Sequence, residues 1–89
     1  MTQNESQMQV CCAQYDAAGI KVRATLLAQP EGVGVQYAIA LEQEGEMTVC
    51  PVCDDERNAR EIYLRVVFGA VTACTLADVV EDYMGTIFP

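Results

Sequence analysis

The hydrophobic period of this chain changes at one point, Asp54, and that change restricts the folds open to it. Upstream, IKVRATLLAQ places Ile20, Val22, Ala24, Leu26 and Ala28 at every second position, and VGVQYAIALE does the same with Val33, Val35, Tyr37, Ile39 and Leu41. A period of two turns one face of a strand toward a core and the other away from it. Downstream, Ala59, Ile62, Tyr63, Val66, Val67 and Ala70 follow the i, i+3, i+4, i+7 spacing of one apolar stripe. Asp54, Asp55 and Glu56 stand in the first turn, where the helix dipole favours acids. The spacing predicts a helix of about four turns.

Turn residues divide the upstream half into four pieces. MQVCCAQY reads as a short strand closed by DAAG at 16–19, QPEG separates the two alternating runs, and QEGE around Gly45 precedes a last short strand, EMTVCPV. A second helix is predicted in TLADVVEDYMG. Thr75 and Asp78 have about the spacing of a capping box, Leu76, Val79, Val80, Tyr83 and Met84 form a buried stripe, and Gly85 suits the position just past the end. Strands followed by helices, rather than alternating with them, imply an α+β domain of order ββββαα, an antiparallel meander with both helices on one face. A chain of 89 residues fills one core, so we expect a flexible tail over 1–7 and a single domain over 8–89.

The formal net charge is −8, thirteen acids standing against Lys21, Arg23, Arg57, Arg60 and Arg65, and there is no histidine. Phosphate contacts need clustered cations, so nucleic acid is not an expected partner. Without His the chain lacks the side chain best suited to proton transfer near neutral pH, and every triad built on it. No catalytic residue, cofactor or enzymatic activity is therefore assigned. No run approaches the roughly 18 apolar residues of a membrane span, since VVFGAVTACTLADVV is broken by Gly69, Thr72 and Asp78. MTQNESQMQ lacks the basic and apolar regions of a secretory signal, and the five cysteines read as small buried hydrophobes, which together lead us to expect a cytoplasmic protein.

Cys53-Asp54-Asp55 at a helix start, Ala59 and Ile62 in its stripe, and above all LADVVEDYM from Leu76 to Met84 resemble the C-terminal half of a family of small, functionally uncharacterised proteins from clostridia and related Firmicutes. The likeness runs from Val52 to Met84, a little over a third of the chain. Members usually carry Ser where this chain has Cys53 and His where it has Thr75. The resemblance implies a bacterial cytoplasmic domain with the same strand-then-helix order, and it implies no activity.

Four groups of residues carry possible chemistry. Cys50 and Cys53 form a CPVC at a helix start, where the dipole stabilises a thiolate and a second thiol could resolve a mixed disulfide. A thioredoxin-like site would need an early strand of a βαβ unit and a later cis-proline, and after Cys53 the chain has only Pro89. In the plainer reading Val49 faces the core, Cys50 ends the strand, Pro51 closes it, and Cys53 or Asp54 caps the helix. The same pair could be half a zinc site completed by Cys11, Cys12 or Cys74, but Cys11 and Cys12 are adjacent in a strand and point to opposite faces. Cys74 is expected to pack in the turn between the helices. The acids at Glu42, Glu44 and Glu46, at Asp54 to Glu56, and at Asp78, Glu81 and Asp82 have no calcium-loop spacing and read as solvated faces and dipole partners.

The fourth group is on the first helix. Leu64, Phe68 and Val71 form a second apolar stripe roughly opposite the first, so this helix needs two partners. We expect the second helix to cover Leu64 and Val71, and Phe68 to be shared with another protein. The sheet face away from the helices, with Thr25, Leu27, Ala38 and Ala40, is apolar enough to pack on a second subunit. The resulting expectation is a non-enzymatic, acidic interaction or regulatory module, a possible homodimer, with Leu64, Phe68, Glu81 and Asp82 as its contact residues. The alternative is a thiol-redox or structural zinc protein using Cys50 and Cys53.

Overall fold

Two alternating runs, each apolar on one side, pair most stably side by side, and they form the centre of the sheet. A computed structural model describes residues 8–87, with side chains described up to Gly85. Strands β1 (Met8–Ala17), β2 (Ile20–Glu31), β3 (Gly34–Gln43) and β4 (Glu46–Cys53) make one antiparallel sheet in the order β1-β2-β3-β4. Helices α1 (Glu56–Phe68) and α2 (Ala73–Ile87) follow and pack on one of its faces. The architecture is the expected ββββαα α+β fold; the tail expected over 1–7 lies outside the described residues.

The hairpins close tightly. At Ala18-Gly19 and Glu44-Gly45 both central residues have positive φ, the backbone that matches the right-handed twist of two-residue hairpins. Ala18 and Glu44 adopt it against the preference of their side chains.

The core is the layer between sheet and helices. Val22, Ala24 and Leu26 of β2 and Ile39 and Leu41 of β3 meet Ala59, Ile62 and Val66 of α1 and Leu76 and Val80 of α2, all fully or almost fully buried. Each large aliphatic side chain there is worth roughly 1.5–3 kcal/mol. Two tyrosines tie the layers by hydrogen bonds: Tyr63 Oη donates to the Ala24 carbonyl at 2.8 Å, and Tyr15 Oη to the Val71 carbonyl at 2.6 Å.

Several local expectations are corrected. Val49 points away from the helices, because it pairs with Ala40, whose neighbours Ile39 and Leu41 face the core. β4 does not end at Cys50. It runs to Cys53 through a bulge, with Val52 left between the pairs Ala38–Pro51 and Tyr37–Cys53, and this turns both Val52 and Cys53 into the core. The cap of α1 therefore passes to Asp55, whose carboxylate accepts from Asn58 N at 3.3 Å, rather than to Cys53 or Asp54.

α1 closes in a Schellman turn: Val71 N donates to Val66 O and Ala70 N to Val67 O, both at 3.1 Å, with Ala70 at φ 50 where Gly is usual. Val71 is thus beyond the helix, folded back into the core. α2 starts two residues earlier than predicted, because the Ala73 N–H donates to Gln43 Oε1 at 3.1 Å; Thr75 Oγ1 donates to Thr72 O and is no cap. Gly85 lies inside α2, and Cys74 is exposed on its first turn instead of packing between the helices.

Candidate functional site

The outer flank of α1 is where sequence and packing part company. Residues 57, 60, 61, 64 and 68 share the side of α1 turned away from Ile62 and Val66, and the chain spends two large apolar side chains there. Phe68 is 82% exposed and Leu64 47% exposed. The expectation that α2 covers Leu64 is therefore corrected, because α2 packs with Leu76 and Val80 on the core and reaches α1 through Tyr83. Val71 alone of that stripe is buried, by the turn after α1.

Charged and aromatic groups shape this flank. Tyr83 Oη donates to Glu61 Oε1 at 2.9 Å, and the Arg65 guanidinium stacks 4.8 Å from the centre of the Tyr83 ring. Glu61, Leu64, Arg65, Phe68, Gly69 and Tyr83 line a shallow groove of about 520 Å³. On the other side of Leu64, a smaller apolar groove of about 260 Å³ runs between α1 and the edge strand β1. Arg60 borders it, bridging Glu56 Oε2 at 2.8 Å through Nε and reaching Cys11 Sγ at 3.4 Å through Nη1. Of the chain's five cations, Arg57, Arg60 and Arg65 all stand on α1. Glu56 and Arg60 close an i, i+4 ion pair on α1, while Glu61 and Arg65 turn to Tyr83.

Glu81 and Asp82 sit on the exposed side of α2, as their spacing against Val79, Val80 and Tyr83 requires. Cys50 and Cys53 both lie on the helix side of β4. Burial pushes both thiols up from their ordinary pKa, with the charge of Glu81 adding to the effect at Cys50. Both shifts favour the thiol over the thiolate that attacks disulfides or binds metal. Cys53 Sγ contacts the Asp55 carbonyl at 3.4 Å. Among the described residues no three His, Cys, Asp or Glu side chains come together as a metal site. Cys11 and Cys12 do point to opposite faces, Cys11 opposite Leu26 and Cys12 opposite Thr25.

The second surface is the open face of the sheet. Its central rows are Cys12–Thr25–Ala40–Val49 and Leu27–Ala38–Pro51, with Arg23–Glu42–Met47 beside them. Met47 is 62% and Val49 50% exposed. Neither belongs to the surface expected from the sequence, Thr25, Leu27, Ala38 and Ala40, because the apolar pattern of β4 points them toward the core while its pairing with β3 turns them outward. The Tyr83 link to Glu61 and Arg65 also went unread: an interaction across two helices has no spacing signal. No helix among the described residues is long and apolar enough to cross a membrane. Comparison with protein-family models, with curated proteins and with solved structures gave no match to this chain.

Proposed function

We propose that this chain is a non-enzymatic, acidic interaction module of the bacterial cytoplasm that works by docking a partner protein on the outer flank of α1, and that it also self-associates. The observation that carries the reading is the exposure of Leu64, which stands between the two grooves, and of Phe68, which lines the larger, while the other large apolar helix residues among those with described side chains are buried or half-buried. An aromatic and an aliphatic side chain within a ring of charged groups match the apolar core and polar rim of a protein interface. The occupant is an amphipathic segment with apolar anchors and carboxylates. Arg57, Arg60 and Arg65 supply its counter-charges, while Glu81 and Asp82 repel the same carboxylates from the side of α2 and so fix its orientation. The five free cysteines fit a reducing compartment.

The test is capture from a lysate of the source cells on immobilised wild-type and Phe68→Asp chains, after their melting temperatures have been matched. Because Phe68 is 82% exposed, the substitution leaves the fold intact. Proteins held by the wild type and released by the variant are expected; identical sets on both would overturn the docking surface.

A further inference from the structure

We propose that the open face of the sheet packs against the same face of a second copy, making a two-fold, face-to-face sheet dimer. The inference rests on the reading of the chain as an interaction module, but uses a different surface from the α1 flank. Three features point to a second copy rather than to another partner.

The first is charge. Six rows cross this face, from Asp16–Lys21, through Gln14–Arg23–Glu42–Met47, Cys12–Thr25–Ala40–Val49 and Gln9–Leu27–Ala38–Pro51, to Gln29–Gln36 and Glu31–Gly34. Within them Lys21 and Arg23 balance Asp16 and Glu42, and Glu31 at the far end leaves the face only −1 of the chain's formal −8. Two copies approaching by any strongly acidic surface repel each other, whereas here they meet with almost no net charge. The Arg23 and Glu42 side chains, 3.9 Å apart and about half exposed, can exchange partners across a two-fold axis.

The second feature is shape. In the two rows with Ala38 and Ala40 the open side of β3 carries only alanine, between larger side chains on β2 (Thr25, Leu27) and β4 (Val49, Pro51). This makes a shallow trough flanked by ridges, a profile that a two-fold mate can complement with its own ridges. Facing sheets pack about 10 Å apart with side chains interdigitated, the arrangement of a β-sandwich.

The third is area. Three rows that cross four strands, each about 19 Å by about 7 Å, and three that cross two together cover roughly 500–600 Å² per copy. The total of about 1,000–1,200 Å² reaches the lower limit of specific interfaces, which fits a reversible dimer rather than an obligate one.

Sedimentation velocity across a concentration series from low micromolar upward tests the inference. The wild type should pass from monomer to dimer. Val49→Lys, at a half-exposed position on the edge strand, should weaken the dimer about tenfold or more without lowering the melting temperature of the monomer. Arg23→Glu and Glu42→Arg should each weaken it alone, and an equimolar mixture of the two variants should dimerise better than either, since each places its charges opposite the other's complement. A strictly monomeric wild type overturns the dimer and assigns the face to a different chain, while leaving the α1 flank untouched. A wild-type dimer that ignores Val49→Lys and is not rescued by mixing overturns the face-to-face arrangement. Equal capture by Phe68→Asp, by contrast, bears on the α1 flank alone.

Discussion

Removing one hydroxyl should make this protein less stable at neutral pH and more stable at high pH. Tyr63 is 4% exposed, its Oη donates to the Ala24 carbonyl at 2.8 Å, and burial pushes its pKa up from 10.0 to about 12. At pH 7 the change Tyr63→Phe loses one buried hydrogen bond, a cost of about 1 kcal/mol. Above pH 10 the unfolded chain releases this proton while the folded chain keeps it, so the unfolded state binds fewer protons and stability falls as pH rises. The contribution is complete below about pH 10 and is lost between about pH 10 and 12, amounting to roughly 2 to 3 kcal/mol for a shift of this size. The variant lacks that term, so the two stability curves should cross near pH 11. Tyr15, whose pKa burial also raises, is common to both chains and cancels in the difference. Urea unfolding followed by circular dichroism, at steps from pH 7 to pH 11.5 or so, measures the difference directly. A gap between wild type and variant that stays constant across this range would refute the buried hydroxyl and the packing of α1 on β2 that buries it.

Three further substitutions probe the fold and the thiols. Ala70→Gly relieves a positive φ at the end of α1 and should raise stability by about 0.5–1 kcal/mol in the same urea assay. Val80→Asp places a charge at a fully buried site on α2 and should leave no cooperative thermal transition, whereas Glu81→Lys, one residue on and exposed, should leave the melting temperature unchanged. Cys53→Ser should cost about 1 kcal/mol, because Cys53 is a buried strand residue and not the helix cap; protein purified without chelators should contain no stoichiometric zinc, and about one zinc per chain by elemental analysis, lost on this substitution, would favour a structural metal site.

The parts of the fold legible in the sequence are those where one local rule acts alone. β2 and β3 are central strands with one face buried along their length, so strict alternation from Ile20 to Ala28 and from Val35 to Leu41 identified their inner faces. The stripe of α1 was equally plain. β4 runs against its sequence pattern because the apolar Met47 and Val49 lie on the open face while Thr48 and Cys50 face the helices. The bulge at Val52, directly after Pro51, then turns Cys53 inward and passes the cap of α1 to Asp55. The start of α2 was missed for a different reason: its capping group, Gln43, is thirty residues away in sequence and on another element. Ala70 ends α1 where glycine is the usual marker, so Val71 was counted as a helical residue. On the candidate site, the sequence identified Phe68 as exposed, but assigned Leu64 to α2, since the pattern gives the width of an apolar stripe and not the angle at which a neighbouring helix crosses it.

Docking on the flank of α1 can be read most directly by placing a photoreactive phenylalanine analogue at position 68 and, in a second chain, at position 33. Both positions are highly exposed and apolar, but Val33 lies in the β2–β3 turn, away from either groove. Irradiation in a lysate of the source cells should give discrete crosslinked species from position 68 and none from position 33. Crosslinks of equal yield from both, or from position 33 alone, would contradict a docking surface on α1.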